Sequence, residues 1–172
     1  AITPSENKDG FKQDGVYIIT GGLGRIATSL SEKLATFNAK LILTTRGDAQ
    51  TSKIKEHIKE LESKGAKVQV LQANMGEFDD VENIINVAIG EYGKIDGIFY
   101  LAGVADLRYL PEISEEICEL EFNPKIHGLL NLENALFRYE FSLNHNYHSN
   151  SGIVDFLIVI SFFNTFVKWE DL

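Results

Sequence analysis

The chain has 172 residues, 44% of them hydrophobic and 24% charged, with a formal charge of −9 at pH 7. That is one domain's length with enough apolar side chains for a sizeable core, so two independent cores and wholesale disorder are both excluded. The acidic balance argues against a nucleic-acid backbone or an anionic membrane as main partner, since both need clustered Lys and Arg, but a small anionic ligand could still be held by a few local donors.

Residues 1–14, AITPSENKDGFKQD, mix Pro, Gly and charge without periodicity and read as a linker or a lead-in to the domain. They are too polar for a signal peptide, and the first residue is Ala1, which suggests excision from a longer chain or processing. Regular structure is expected from Gly15. Val16 to Thr20 is a short β-branched run, followed by a helix with Ile26, Leu30, Leu34 and Phe37 at helical spacing. Lys40 to Thr45 is the second strand. The next helix places Ile54, Ile58 and Leu61 on one face, with Gly65 positioned to end it. Val68 to Ala73 is the third strand. Val81, Ile84, Ile85, Ala88 and Tyr92 mark another amphipathic helix closed by Gly93, and Ile95 to Leu101 is the fourth strand.

Two further helices are expected, one around Ile113, Ile117 and Leu120, the other carrying Ile126, Leu129, Leu132 and Leu136 beyond Pro124, a residue suited to a first helical turn. A polar loop, residues 144–152, leads to Val154 to Ile160, apolar enough for a parallel strand buried on both faces. The alternation is the signature of βαβ units. The expected fold is an α/β, Rossmann-like doubly wound parallel sheet of about five strands in order 3-2-1-4-5.

Cys118 is the only cysteine, which excludes an internal disulfide framework or a multi-cysteine zinc site and fits a reducing, cytoplasmic location. His127, His145 and His148 lack metal-ligand spacing, so no metal site is expected. No apolar run approaches the roughly 20 residues that span a bilayer.

The chemistry-bearing stretch is Thr20-Gly21-Gly22-Leu23-Gly24-Arg25-Ile26-Ala27, at a strand-to-helix turn. Glycines there let the backbone turn tightly and approach a pyrophosphate, whose charge the helix's free N–H groups and positive end stabilise. Taken alone, the same glycines also describe an ordinary tight βα turn. The second strand ends at Arg46, where a dinucleotide's adenosine ribose would lie. An acidic side chain there suits ribose hydroxyls, whereas an Arg pairs with a 2′-phosphate, so the expected cofactor is NADPH. Arg25 could add a second positive charge or be a surface residue. Tyr100 and Tyr109 fall near the same end of the sheet and are read as core or rim packing.

Five stretches then fall together: GVYIITGGLGRIATSLSEKLA, AKLILTTR, GKIDGIFYLAGV, FNPKIHGLLNLENAL and VDFLIVIS. In this order they resemble the ketoreductase domain of modular polyketide synthases, a branch of the short-chain dehydrogenase/reductase superfamily, over about residues 15–161. The resemblance implies NADPH-dependent reduction of a β-ketoacyl thioester carried on an acyl carrier protein, alongside other synthase domains. It implies that Thr20 to Ala27 is the cofactor loop, with Ala27 where a third glycine is usual. Asn74 stands where an aspartate usually contacts the adenine, and Ala102-Gly103 lines the nicotinamide side. Lys125, within Asn-Pro-Lys-Ile-His-Gly, is the lysine by which these domains differ from ordinary members of the superfamily. In the family mechanism a tyrosine protonates the carbonyl oxygen, a nearby ammonium lowers that tyrosine's pKa, and a serine donates to the same oxygen.

The chain departs from that pattern. Ser161-Phe162 stands where two serines usually end the fifth strand, the second being catalytic, and Ser161 should face away from the site. The tail FNTFVKWEDL contains no tyrosine and no Tyr-x-x-x-Asn helix. Ala105-Asp106-Leu107 replaces a Leu-Asp-Asp motif that goes with one alcohol configuration. The expectation is a C-terminally incomplete ketoreductase core over residues 15–161, inactive alone, with a divergent tail at 162–172 and the last part of the fold missing. The alternative is a pseudo-reductase acting as a dinucleotide-binding or structural element. A receiver-like signalling domain is disfavoured, because the glycine loop replaces its acidic cluster.

Overall fold

The computed structural model describes residues 10–103, 114–144 and 157–159. Sequence readings that rest on Ala105-Asp106-Leu107, Tyr109, Ile113, His145, His148, Ser161, Phe162 and the tail lie outside the described residues. The elements, in chain order, are β1 (Val16–Thr20), α1 (Arg25–Ala35), β2 (Lys40–Thr45), α2 (Ser52–Ser63), β3 (Lys67–Gln72), α3 (Phe78–Tyr92), β4 (Gly97–Tyr100), α4 (Glu115–Phe122), a π-helical turn (Asn123–His127), α5 (Gly128–Asn144) and β5 (Leu157–Val159). The strands form one parallel sheet in order β3-β2-β1-β4-β5, as expected of a doubly wound Rossmann-like fold.

Side chains alternate across the inner strands, so each strand feeds two cores. Tyr17, Ile19, Leu41, Leu43 and Phe99 point to the face covered by α1 and α2, where they meet Leu34 and Leu61. Ile18, Ile42, Ile98 and Tyr100 point to the face covered by α3 and α5, against Ile84, Ile85 and Leu132. Being buried on both faces is why these strands read as nearly continuous apolar runs.

Local signals explain the helix ends. The Thr51 side chain accepts from the Ile54 amide at 3.4 Å and starts α2, and Ser114 does the same for Ile117 at the start of α4. Gly93, at φ 72°, closes α3 as a left-handed C-terminal cap.

Three expectations need correction. The buried face of α1 is Ala27, Ser31, Leu34 and Ala35; Ile26 is 44% exposed and Phe37 lies beyond the helix. Small residues share the buried face with Leu34, Leu30 packs partly buried beside them, and Ile26 falls on the flank. Leu120, one of the apolar residues that mark the next expected helix, is exposed. The two helices expected on either side of Pro124 are one continuous run from Glu115 to Asn144, joined through the π-helical turn. Proline lacks an amide and its ring crowds the carbonyl four residues back, so the run absorbs Pro124 by widening one turn instead of ending. The widened turn breaks the helical spacing, and Ile126 is 49% exposed while Leu132 is buried.

At the amino ends of the strands, Asp96 accepts from the Val16 amide at 2.8 Å and lies 3.0 Å from Lys12 Nζ and 2.7 Å from Lys94 Nζ. Phe11 packs edge-on against Tyr17, Phe37 and Phe99. Residues 11 and 12, grouped by sequence with the lead-in segment, therefore pack onto the domain.

Candidate functional site

At the opposite, carboxyl end of the sheet, β1 runs into the glycine turn. Thr20 is fully buried, and its Oγ1 accepts from the amides of Leu101 at 2.9 Å and Ala102 at 3.0 Å. It thereby ties the end of β1 to the segment leaving β4. Gly21 has φ 65°, and a Cβ there would come 2.9 Å from the Leu101 carbonyl oxygen. Only glycine accepts both that conformation and that approach. The Gly22 amide donates to the Thr44 carbonyl at 2.9 Å, and a Cβ on Gly22 would press on Leu43 Cβ at 2.6 Å. Gly24 is different: its Cβ position has only ordinary contact, 3.4 Å from the Gly21 carbonyl oxygen. Two glycines are thus spent on holding the turn against its neighbours, and the third stands at the helix start.

Gly24 is the N-cap of α1 with no side chain to cap the amides, and α1 has no acidic residue in its first turn. An α-helix start has four amides without intrahelical partners, together with the positive end of its dipole. A cleft of about 1070 Å³ opens in front of them, lined among others by Gly21, Leu23, Gly24, Arg25, Ile26 and Arg46, with Ala102 and Gly103 on its far wall. Among the described residues its lining contains two arginines and no Asp or Glu. In a chain of net charge −9 that local excess of positive charge is a property of the site, not of the composition. The donor set and the uncapped helix start fit a pyrophosphate-containing ligand, with room for it.

A second cleft of about 490 Å³ adjoins the first and shares Arg46 and Pro124 with it. Its lining adds Asn74, Asn123, Glu115, Glu116 and Glu119. The Ser114 hydroxyl bonded to the Glu116 carboxyl holds its pKa below the usual carboxylate range. The Asn74 carboxamide oxygen accepts from the Gly76 amide at 3.2 Å, and the Asn74 amide donates to Asp80 at 2.7 Å. Asn74 therefore shapes the turn after β3 and also lines the smaller cleft.

Of the residues singled out by sequence, Gly21, Leu23, Gly24, Arg25, Ile26, Arg46, Ala102 and Gly103 line the larger cleft together. Thr20 and Gly22 are buried behind it. Lys125 belongs to the π-helical turn and reaches toward Gly103: its Cε lies 3.7 Å from the position of a Cβ on that residue. His127 is exposed, 3.8 Å from Glu119. Sequence reasoning missed Thr44 as the anchor of the glycine turn, and it missed Met75 and Pro124 in the cleft wall. Threonines at the carboxyl ends of two neighbouring strands, Thr20 last in β1 and Thr44 last but one in β2, were the available signal for the first; the others come from the turn after β3 and the π-helical turn, which carry no local pattern. Among the described residues no helix is long and apolar enough to cross a membrane.

Comparison with known proteins bears on this geometry. The family model described as "KR domain" matches residues 15–158. The chain is 30% identical over 132 residues to the phthioceranic/hydroxyphthioceranic acid synthase of Mycobacterium tuberculosis strain H37Rv, covering 77% of the chain and 6% of that protein. It is 33% identical over 127 residues to the polyketide synthase PksN of Bacillus subtilis strain 168, covering 73% of the chain and 2% of that protein. Among solved structures, an N-terminal ketoreductase from the macrolactin assembly line superposes with a TM-score of 0.75 at 26% identity, over 88% of this chain and 28% of that one. The chain thus spans a small part of each large relative.

Proposed function

This chain belongs to the KR domain family, and on that premise we propose that it forms the dinucleotide-binding front portion of a polyketide synthase ketoreductase. The observation that carries the reading is the larger cleft, where an uncapped helix start and two arginines border a space with no carboxylate among the described residues. The amides at the start of α1 hold the pyrophosphate, and Gly24 lets it approach. Arg46, at the end of β2, pairs with a 2′-phosphate and sets the preference for NADPH over NADH. Asn74 faces the adenine from the adjoining cleft. Ala102 and Gly103 border the nicotinamide, and Lys125 stands beside them. When bound, the cofactor would supply a hydride to the carbonyl carbon of a β-ketoacyl thioester presented on an acyl carrier protein of the surrounding synthase, and a proton delivered to the carbonyl oxygen by a general acid would complete the β-hydroxyacyl thioester.

Of the family's catalytic set this stretch supplies Lys125 and carries Phe162 in place of the serine. A phenyl ring donates no hydrogen bond to a carbonyl oxygen, so these 172 residues by themselves are expected to bind nucleotide without turning substrate over. Titration of the chain with NADPH and NADH, followed by nucleotide fluorescence, tests the binding half: tighter NADPH is expected, and tighter NADH overturns the role of Arg46. NADPH oxidation coupled to alcohol formation from a β-ketoacyl thioester surrogate overturns the inactive half. Domain limits at 15 and 161 belong to the same proposal.

A further inference from the structure

Tyr100 ends β4 fully inside the core, and its hydroxyl donates to the carbonyl of Pro124, in the π-helical turn. Burial raises its pKa, so the hydroxyl is protonated and available as a donor throughout the ordinary pH range. The amide of Gly128, four residues beyond Pro124 and its usual α-helical donor, is bonded instead to the Asn123 carbonyl. Tyr100 thus supplies a donor to a carbonyl whose regular partner the widened turn has moved away. A Cβ on Gly128 would run into the Tyr100 hydroxyl and the Met75 carbonyl, at 3.1 Å from the latter, so the turn sits on Tyr100 without a gap. The loop after β3 holds the same turn from its other side: the Asn131 side chain donates to the Met75 carbonyl at 3.1 Å, and the Asn123 carboxamide lies against Gly76.

Lys125 is the residue next to the gripped carbonyl, so the register of the turn sets where its side chain departs from the backbone. We infer that Tyr100 is a positioning residue: its hydroxyl fixes the register of the π-helical turn and so directs Lys125 toward Gly103. That the direction matters for nucleotide rests on the reading given under Proposed function; the direction itself does not. A purely apolar residue at position 100 would fill the same core space but leave the widened turn free to change register. The cost would then fall on the aim of Lys125, with little change in the stability of the sheet.

The test uses the full chain with its lysines reductively methylated with ¹³C, the Lys125 signal being assigned from a Lys125→Arg variant. In the unsubstituted protein the Lys125 methyls should show a nuclear Overhauser contact to the Gly103 α-protons, and the signal should move when NADPH is added. Tyr100→Phe keeps the ring and should keep the far-ultraviolet circular dichroism, yet lose the contact to Gly103 and the NADPH response. Placing 4-aminophenylalanine at position 100 restores a donor and should restore both. A folded Tyr100→Phe variant whose Lys125 retains its contact to Gly103 overturns the inference. If the variant does not fold, the Tyr100 hydroxyl proton of the unsubstituted chain decides: slow exchange with water supports the inference, and fast exchange overturns it. Absence of any NADPH response in the unsubstituted chain counts against the cofactor reading alone, because the Gly103 contact is read without nucleotide.

Discussion

At the amino end of the sheet the buried carboxylate is satisfied within the chain. Asp96 is buried, takes the Val16 amide, and meets Lys12 and Lys94, while Phe11 covers the neighbouring aromatic side chains. At the carboxyl end the same sheet leaves polar groups open: α1 begins on a glycine without a capping side chain, and Arg25 and Arg46 line a cleft with no carboxylate among the described residues. Burying a donor without a partner costs free energy, so the protein closes the end that only has to be stable. The difference teaches where to look for function in a fold of this class: at the end where satisfaction has been left to a ligand.

The largest effect expected at the closed end is that of Asp96→Ala. It leaves the buried Val16 amide without an acceptor and two ammonium groups facing one vacated position, and should lower unfolding free energy by about 3 kcal/mol. Urea denaturation measures this, and nucleotide affinity of the folded protein should not change. At the open end, Gly21→Ala should cost about 2 kcal/mol, because an L-residue is held at positive φ against the Leu101 carbonyl, and it should also weaken nucleotide binding. Gly24→Ala sharpens the contrast. Its Cβ has room in the protein, so stability should fall by less than about 1 kcal/mol, while the methyl group intrudes where the ligand must approach. Equal losses of stability in Gly21→Ala and Gly24→Ala would break the division of labour among the glycines.

Much of this arrangement was legible in the sequence, for a physical reason. Strands β1 and β2 have the expected bounds because burial on both faces leaves an uninterrupted apolar run, and the glycine turn is recognisable because its parts are adjacent in the chain. Helical spacing marks Leu34, which is buried in α1, and Leu30, which packs against the same core, but it passes over the small residues Ala27, Ser31 and Ala35 that share the buried face. Pro124 was read as a helix start, since a proline in a first turn and a proline inside a π-helical turn look alike from sequence. Thr20 and Tyr100 carry the ties that shape the site, yet their partners lie 81 and 24 residues away, and no local pattern announces such a pairing.

Arg46→Ala should separate the two ends most cleanly in binding. Its side chain is exposed, so stability should change by less than about 0.5 kcal/mol. Loss of a charge-assisted contact to a 2′-phosphate should weaken NADPH by about tenfold and leave NADH nearly unaffected. Parallel titrations with the two nucleotides read the difference directly. An equal loss for both would place Arg46 against a group they share.

The smallest effect concerns pH at the closed end. Burial alone would push the Asp96 carboxyl upward, but the hydrogen bonds from Lys94, the Val16 amide and Lys12 outweigh it and hold the pKa below the ordinary 3.8. A carboxyl with a depressed folded pKa binds protons more readily in the unfolded chain, so its stabilisation is fully present above 3.8 and is lost as pH falls from there through the folded value. The lysine side chains are 54% and 52% exposed, and solvent screens their attraction, so the pH-dependent part should be modest. Asp96→Asn keeps an acceptor for the Val16 amide and removes the titration. Its stability should therefore lie below that of the unsubstituted chain at pH 7, and the gap should narrow as the pH is taken below 3.8. Urea midpoints of the two proteins across that range measure it, and a gap that stays constant would show that Asp96 contributes through its shape and hydrogen bonding and not through its charge.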